Sequence, residues 1–402
     1  METAEAMDVE EESSSSGRST TKRFALRNSI QTNFGGDYVF QIVSRRVASD
    51  SNLFGLLIRI FLVLALDDWS SIAVSLSTNV VKLYSPLTGT CLGDCSGHSS
   101  TINQISFVGP SSPHVLYSCS SDGTLRAWDS RSFQQISCIN RGSQEVFSFS
   151  FGGAGNNLLA AGCDSEILFW DWRTMKQIAC LEEYHIDDVT QVQFVPGREN
   201  KLVSASVDGL MCLFETDGGI SDRDKLLSVF NVGTSIGKIG FFGDEYRKLC
   251  IWDWEDNINE VNFEDARALA SQGWTLDQID YFVDCVYSEY DDKLMAIGGT
   301  NGGSFSFFPV KFSRSRGKFG SAKAVFHGGH VGVVRSVLLH TREGRGAGET
   351  FGWTGGEDGR LCCWKPSETL TTPSYLSSSS WASTALVRKS SVTRNARRYS
   401  PY

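Results

Sequence analysis

The sequence predicts an all-β protein built from repeated strand–turn–strand modules, and three observations indicate this fold class. The chain of 402 residues contains 39 Gly but only 8 Pro, and it carries 10 Trp and 25 Phe. Abundant Gly together with aromatic residues is typical of short strands joined by tight turns. An Asp precedes a large aromatic residue by six positions in four separate segments. The segments recur with a period of about 40–45 residues, which indicates a repeat architecture.

Each repeat consists of an apolar strand, a tight turn that often contains Asp-Gly, and a second strand that ends in the aromatic residue, which is the pattern of a β-hairpin. The Asp–aromatic pairs are Asp122 with Trp128, Asp164 with Trp170, Asp208 with Phe214, and Asp358 with Trp364. Weaker copies end at Tyr84, Trp252 and Phe308, so the sequence predicts seven modules. A polar tail follows the last module, and the apolar segment near residues 24–34 could supply its fourth strand, which would close a ring without exposed edges.

A repeat of this length with Trp-Asp endings resembles the WD-repeat family. Gly97-His98, His185 and Gly329-His330 strengthen the resemblance, because each His precedes a turn Asp by 23 to 28 residues. The resemblance implies a seven-bladed WD40 β-propeller over residues 23–365, closed by an N-terminal strand.

The resemblance also implies a buried hydrogen-bonded network in each blade, formed by the His, a strand Ser, the turn Asp and the Trp. The matching sets are His98, Asp122 and Trp128; His330, Asp358 and Trp364; and a weaker set of His185 and Asp208 with Phe214. Phe214 has no N–H to donate, so we expect that network to be truncated. Asp164 and Trp170 have no matching His.

We interpret these His and Asp residues as structural, because buried polar groups generally need hydrogen-bond partners. The alternative is a metal site made of His98, His185 and His330. Their repeat positions place them on different blades, which disfavours a shared metal ion.

Charge and cysteine usage restrict the class of protein. The net charge of −9 argues against nucleic-acid binding, which normally needs a basic face. The 11 Cys are an odd number without CxxC pairs, so we expect free thiols in a reducing compartment, the cytoplasm or nucleus. The N-terminal stretch holds six acids before its first base, Arg18, and therefore does not read as a secretory signal.

Both ends of the chain are predicted to be disordered tails. Residues 1–22 are acidic and then Ser-rich, and they contain too little apolar surface to fold. Residues 366–402 are rich in Ser and Thr and end in a basic stretch, 388–398. That stretch is interpreted as a solvated tail, with a nuclear-import signal as the alternative.

The sequence breaks the repeat pattern at residues 45–67, which include a run of apolar residues from Leu53 to Leu66. A membrane anchor is disfavoured, because the run is short for a span of about 20 apolar residues and contains Arg59. An additional amphipathic helix is a second interpretation. A third is that these residues come from a retained intron or a gene-model error, since deleting them restores the strand–turn–strand pattern.

A second break precedes Trp252, where the expected strand and Asp turn are absent, so we expect a defective fifth blade. Residues 255–282 then form an insertion, in which 262–271 could be a short helix. Long loops on a rigid scaffold often carry function, but we interpret this insertion as a packed decoration of the rim.

No motif of a hydrolase, metalloprotease or P-loop enzyme occurs in the sequence. The Gly-rich segment 298–303 reads as a turn between strands rather than a phosphate-binding loop, because no helix follows it. We therefore expect no catalytic residue, metal, cofactor or small-molecule substrate, and no membrane association.

Two successive repeats end in Trp-Asp-x-Arg, which resembles the WD-repeat substrate receptors of cullin–RING ubiquitin ligases. The resemblance implies that Arg131 and Arg173, next to Asp129, Asp171 and Trp172, engage a ligase adaptor. Arg suits such an interface because its planar fork makes bidentate hydrogen bonds. The alternative is a solvated Arg paired with a neighbouring acid.

Over its whole length the chain resembles the plant relatives of WD-repeat protein 89, on segments 82–89, 280–285 and 307–309. This resemblance implies a non-enzymatic scaffold for protein partners with a growth- or ribosome-linked role. The alternatives are the ligase substrate receptor and a propeller hydrolase or lyase. The last is disfavoured, because no convergent set of acids or His occupies repeat-matched positions.

Overall fold

Antiparallel strands account for nearly all of the regular secondary structure among the described residues. The computed structural model describes residues 22–31, 37–46, 69–107, 113–153, 155, 157–217, 220, 225–242, 248–252, 266–274, 278–288, 293–313, 316–340 and 351–366. These residues lie in one unit, Met1–Ser367, and the second unit, Glu368–Tyr402, lies outside the described residues.

The first half of the described chain is entirely β. Its strands are β1 (Lys22–Gln31), β2 (Val39–Arg46), β3 (Trp69–Leu76), β4 (Val80–Tyr84), β5 (Cys91–Ser96), β6 (Ile102–Phe107), β7 (Val115–Ser120), β8 (Thr124–Asp129), β9 (Gln134–Asn140), β10 (Val146–Gly152), β11 (Leu158–Cys163), β12 (Ile167–Asp171), β13 (Lys176–Leu181), β14 (Gln191–Val195), β15 (Arg198–Ala205), β16 (Leu210–Glu215) and β17 (Leu226–Asn231).

The second half adds ten strands and one short helix among the described residues. They are β18 (Lys238–Phe242), β19 (Lys248–Trp252), α1 (Ala266–Gln272), β20 (Tyr281–Ser288), β21 (Lys293–Gly299), β22 (Phe305–Ser313), β23 (Arg316–Phe319), β24 (Ala324–Phe326), β25 (Val334–His340), β26 (Phe351–Gly356) and β27 (Arg360–Pro366).

The predicted Asp turns join the second and third strands of their sheets. In three of them the residue after the Asp is Gly with a positive φ, at Gly123 (75°), Gly209 (78°) and Gly359 (66°). A side chain is strained in this left-handed region, so Gly is the residue that these turns favour. In the turn that follows Asp164, Ser165 takes a φ of 52° instead.

Four sheets have the same meander of four antiparallel strands. Their strand orders are β2–β3–β4–β5, β6–β7–β8–β9, β10–β11–β12–β13 and β14–β15–β16–β17. A fifth sheet contains β18 and β19, and the sixth has nine strands, in the order β20–β21–β22–β24–β1–β27–β26–β25 with β23 on β22. The two-stranded sheet lies where the sequence predicts a defective blade.

The prediction of seven blades is wrong, because the strands form six sheets and the propeller has six blades. The difference arises at β1, which the sequence assigned only to the last module. β1 pairs antiparallel with β27 from Phe24 to Gln31, and it also pairs in parallel with β24 through Lys22 and Arg23. This second pairing joins the last two predicted modules into one nine-stranded sheet.

Edge strands β2, β6, β10, β14, β18, β20 and β25 are tied to one another in succession by side chains, and β20 and β25 are the two edges of the nine-stranded sheet. In each case a Gln, Ser or Tyr on one strand accepts a hydrogen bond from a backbone N–H of the next. The acceptor and donor residues are Gln41 and Ile105 (2.7 Å), Gln104 and Phe149 (2.9 Å), Ser148 and Val192 (2.9 Å), Gln191 and Ile239 (2.6 Å), Tyr281 and Val334 (2.6 Å), and Ser336 and Ile42 (3.1 Å). Between β18 and β20 the tie is an ion pair, with Lys238 Nζ 2.6 Å from Asp284 Oδ2. These ties satisfy N–H groups on the inner sheet edges, which the sheets themselves leave unpaired.

The hydrophobic core lies between neighbouring sheets. Leu159, Phe169 and Phe214 are buried, as are the indole rings of Trp128, Trp353 and Trp364. One cluster joins Phe169 of β12 to Val192 and Phe214 of the next sheet. Burial of large apolar side chains in such interfaces is the main favourable contribution to folding.

The helix α1 overlaps the segment 262–271 for which the sequence predicts a short helix. Ala266 and Ala270 are buried, and Ala270 packs with Trp274 and Phe308. This contact agrees with the interpretation of a packed decoration.

Several predicted features fall outside the described residues. They are the acidic tail 1–21, nearly all of the anomalous segment 45–67, and the basic tail from 367 onward. Within the part of the chain that is described, no helix is long and apolar enough to cross a membrane.

Candidate functional site

The sheet β6–β9 contains a buried chain of hydrogen bonds between four side chains. Trp128 Nε1 donates to Ser118 Oγ at 2.8 Å. Ser118 Oγ lies 2.7 Å from His98 Nε2, and His98 Nδ1 lies 2.9 Å from Asp122 Oδ2. The chain therefore runs from the end of β8, across β7, to the turn that carries Asp122.

The order of donors in this chain is satisfied by a neutral His98. Because Trp128 can only donate, Ser118 accepts from the indole and its hydroxyl donates to Nε2 of His98. Nδ1–H of a neutral His98 then donates to the Asp122 carboxylate. A neutral imidazole thus leaves no donor in the chain without an acceptor.

Two other sheets contain the equivalent arrangement. His330 lies 2.8 Å from Thr354 Oγ1 through Nε2 and 3.0 Å from Asp358 through Nδ1, while Trp364 Nε1 donates to Thr354 at 2.8 Å. A shorter chain joins His185 to Ser204 at 2.7 Å and to Asp208 at 3.1 Å. There the ring of Phe214 replaces the indole and packs edge-on against Tyr184, with 5.1 Å between ring centroids.

The sheet β10–β13 departs from this pattern. Trp170 is buried in a cluster with Phe149 and Leu168, but Ala160 occupies the position that holds Ser118 or Ser204 in other sheets. The structure thus brings together three of the predicted sets and leaves Asp164 and Trp170 without a His or a strand hydroxyl.

The turn carboxylates of the three His networks also accept backbone hydrogen bonds. Asp122 accepts from the N–H groups of Ser99 and Thr124, both at 2.9 Å. Burial alone would raise the pKa of Asp122, but the hydrogen bonds donated to it outweigh burial and lower the pKa to about 2. The same balance lowers the pKa of Asp208 and of Asp358.

The three imidazoles respond differently to their surroundings. Burial lowers the pKa of His98 and of His185 below the ordinary value of 6.5, despite the neighbouring carboxylates. Burial opposes protonation of His330 as well, but hydrogen bonds to Asp358 and Cys362 together outweigh it and raise that pKa to about 9. The three rings belong to three different networks, and each is bonded to its own Asp.

These networks have little capacity for reaction chemistry. His98, His185 and His330 are only 8%, 3% and 3% exposed, and both ring nitrogens of each are hydrogen-bonded within the chain. A general base must reach its substrate, and these residues are enclosed. Their geometry serves to fix the turn to the strands.

The two predicted partner-binding arginines lie at the opposite end of the strands from the Asp turns. Arg131 follows β8, is 64% exposed, and forms a bidentate ion pair with Asp129 at 2.9 and 2.7 Å. This fork holds the pKa of Asp129 well below its usual value. Arg173 follows β12, is exposed, and donates to the carbonyl of Gly155 at 3.3 Å.

The neighbouring predicted residues anchor the turn of Arg173. Asp171 accepts the backbone N–H of Arg173 at 2.9 Å. Trp172 is half-buried and packs perpendicular to Phe151, with 6.2 Å between ring centroids. The two Trp-Asp-x-Arg turns are therefore not equivalent, since only the first forms the Arg–carboxylate fork.

One cluster that the sequence did not single out brings a thiol near two acids. Glu166, Cys180 and Glu182 could present ligand atoms within 4.8 Å of one another. Arg141 already pairs with Glu166 at 3.3 Å, and burial and the two acids raise the pKa of Cys180 to about 12. The thiol is therefore protonated at neutral pH, whereas metal ligation needs the thiolate.

The sequence identified the His, Asp and Trp members of these networks by number but not the strand hydroxyls. Ser118, Ser204 and Thr354 each precede the turn Asp by four residues. That offset, read together with the Asp and the aromatic residue, is the signal that could have located them. Ala160 at the same offset would also have indicated the incomplete network.

Comparisons with known proteins agree with this geometry. The family model of the "WD domain, G-beta repeat" matches residues 89–129, which include His98, Asp122 and Trp128. The chain is 55% identical to the WD repeat-containing protein GTS1 of Arabidopsis thaliana over the full length of both chains. It is 33% identical to the WD repeat-containing protein 89 homolog of Dictyostelium discoideum, over 60% of this chain and 67% of the relative.

Proposed function

Since the chain belongs to the WD-repeat protein family, we propose that it is a non-enzymatic scaffold that binds other proteins. WD-repeat propellers are generally scaffolds of this kind, and the two relatives described above are named as WD-repeat proteins without an enzymatic activity. The observation that carries the proposal is the enclosure of the His–Asp networks. The residues with the chemistry of a catalytic site are used to fix the Asp turn of each blade to its own strands.

The exposed ends of the strands are the surfaces available for partners. At the end that carries the Asp turns, Ile186 is 91% exposed and Val331 is 65% exposed, each directly after a network His. At the other end lie the exposed side chains of Arg131 and Arg173. Exposed apolar side chains and arginines are the residue types that dominate protein interfaces.

Affinity capture with paired surface variants tests the proposal. One double variant carries Ile186→Asp and Val331→Asp, and the other carries Arg131→Ala and Arg173→Ala. We expect the unmodified chain to retain a reproducible set of proteins, and one of the variants to lose most of them. Failure of the unmodified chain to retain any protein above a bare-resin control would overturn the proposal.

A second candidate is a substrate receptor of a cullin–RING ligase that uses Arg131 and Arg173. The exposure of both arginines supports it, although Arg131 would have to exchange Asp129 for an acid of the adaptor. In a pull-down of the purified adaptor, we expect Arg131→Ala with Arg173→Ala to abolish binding. Arg335→Ala, which removes an exposed Arg that pairs with Glu357, serves as the control. Equal binding by both would exclude this role.

The cell location and pathway are further parts of the proposal. We propose a cytoplasmic or nuclear protein, because none of the ten cysteines with described side chains forms a disulfide. We also propose partners in growth- or ribosome-linked complexes, on the basis of the resemblance to relatives of WD-repeat protein 89. Imaging of the tagged chain and identification of the captured proteins test these two statements.

A further inference from the structure

A cavity of about 340 Å³ lies among three successive inner strands, β6, β10 and β14. The polar residues that line it are Gln104, Gln191, Gln193, Ser106 and Ser150. This volume lies at the lower end of the range of ligand pockets, about 300–1,000 Å³.

The walls of this cavity are held in place by hydrogen bonds between strands. Gln104 pairs with both backbone groups of Phe149, donating to the carbonyl at 3.1 Å and accepting from the N–H at 2.9 Å. Ser150 accepts the N–H of Phe194 at 3.1 Å. The cavity is therefore formed before any ligand arrives, which lowers the entropy cost of binding.

All of the described residues that line the cavity are uncharged. A charged group that lost its water there would find no opposite charge, and this desolvation is costly. A neutral group that can both donate and accept hydrogen bonds would instead meet matching amides and hydroxyls.

Gln193 offers the clearest contact for such a group. Its side-chain amide makes no hydrogen bond with any other described residue, in contrast to Gln104 and to the carbonyl oxygen of Gln191, which accepts from Ile239. An amide presents one donor and one acceptor side, as does a peptide group. The rings of Phe107 and Phe151 border the cavity and can pack against a planar ligand.

We propose that this cavity binds an uncharged amide, either a peptide group or an Asn or Gln side chain, on a loop of a partner protein. The inference rests on the proposed function as a scaffold and names the chemistry that one of its sites recognises. The partner loop presents its amide to Gln193, while its flanking residues lie on the surrounding surface.

Two small probes of nearly equal shape test the chemistry. N-acetylasparaginamide is neutral, and N-acetylaspartic acid α-amide differs only by its carboxylate, which is ionised at pH 7. Ligand-observed NMR titration of the full chain measures both. We expect binding of the neutral probe in the millimolar range, and binding of the charged probe to be weaker by about tenfold or more.

Substitutions then locate the binding. Gln193→Trp fills the cavity and should abolish binding of the neutral probe, whereas Gln134→Trp, on the exposed outer strand β9, should leave it unchanged. Gln193→Ala removes only the amide and should weaken binding several-fold, so it keeps the test decisive if the Trp variant does not fold.

Equal affinity for the two probes, no binding of either, or binding that is indifferent to Gln193 would overturn the inference. Capture of partner proteins by the unmodified chain is measured separately. If partners are captured while the probe fails, only the cavity inference is lost. If no partner is captured, the scaffold function is lost whatever the probe does.

Discussion

At the scale of single residues, the strand hydroxyl is the centre of each polar network. Ser118 both accepts from Trp128 and lies within hydrogen-bond distance of His98, so two buried groups depend on one oxygen. A buried polar group without a partner costs about 1–3 kcal/mol. Only one buried group, His185, depends on the Ser204 hydroxyl, because the side chain of Phe214 has no N–H to donate.

This difference makes Ser118→Ala and Ser204→Ala a matched pair. We expect Ser118→Ala to lower the free energy of unfolding by about 2–4 kcal/mol, and Ser204→Ala by about half as much. Urea denaturation followed by Trp fluorescence measures both. Equal losses in the two variants would show that the Trp128 N–H contributes nothing through this hydroxyl.

The imidazoles also predict how stability depends on pH. The folded-state pKa values of His98 and His185 lie below 6.5, so the unfolded state binds protons first as the pH falls. Their stabilising contribution is present above about pH 6.5 and is lost below it. His330, with a raised pKa of about 9, contributes below pH 6.5 and loses its contribution as the pH rises toward 9.

We therefore expect the melting temperature to fall between pH 6.5 and pH 5. His98→Gln should flatten this fall below pH 6, while His330→Gln should change the slope there little, because below pH 6 His330 is protonated in the folded state and mostly protonated in the unfolded state. Thermal unfolding of the three proteins in matched buffers gives the comparison. A slope that persists in full after His98→Gln would contradict the assignment.

At the scale of strands and sheets, small residues allow neighbouring blades to interlock. A side chain on Gly152, at the end of β10, would overlap the ring of Phe194 on β14. Phe194 also donates its backbone N–H to Ser150, so ring and backbone are held against the same strand. Gly240 on β18, in contrast, has open space where a Cβ would lie.

Substitution of Gly152 and of Gly240 by Ala separates the effect of packing between blades from the effect of strand propensity on stability. We expect Gly152→Ala to destabilise by about 1–3 kcal/mol, because Phe194 must move out of a packed interface. Gly240→Ala should be neutral or stabilise by up to about 1 kcal/mol, since it reduces the freedom of the unfolded chain. Chemical denaturation measures both, and destabilisation of equal size would argue against the interlock.

Some elements were predictable from the sequence, and others were not. The turns at Asp122, Asp208 and Asp358 were predictable because Asp-Gly followed by an aromatic residue is a local pattern. The pairing of β1 with β24 was not, because it joins Lys22 to Ala324 without any sequence signal. The ties between inner strands were missed for the same reason, since each joins residues more than 40 positions apart.

At the scale of the whole molecule, β1 determines how the chain is closed. The module count predicted seven blades because it counted hairpins, and hairpins do not reveal which sheets merge. β1 lies between β27 and β24, so it covers the edges of both and makes one sheet of them. Without β1 these two edges would be open to pairing with other chains.

Closure by β1 underlies the proposal of a rigid scaffold, and truncation with thermal unfolding tests it most directly. Deletion of residues 1–21 keeps the strand and serves as the control, whereas deletion of residues 1–31 removes it. We expect the shorter deletion to melt like the full chain, and the longer one to melt at a lower temperature and aggregate. A synthetic peptide of residues 22–31 should restore the transition in part. Equal melting temperatures for both truncated chains would contradict closure by this strand.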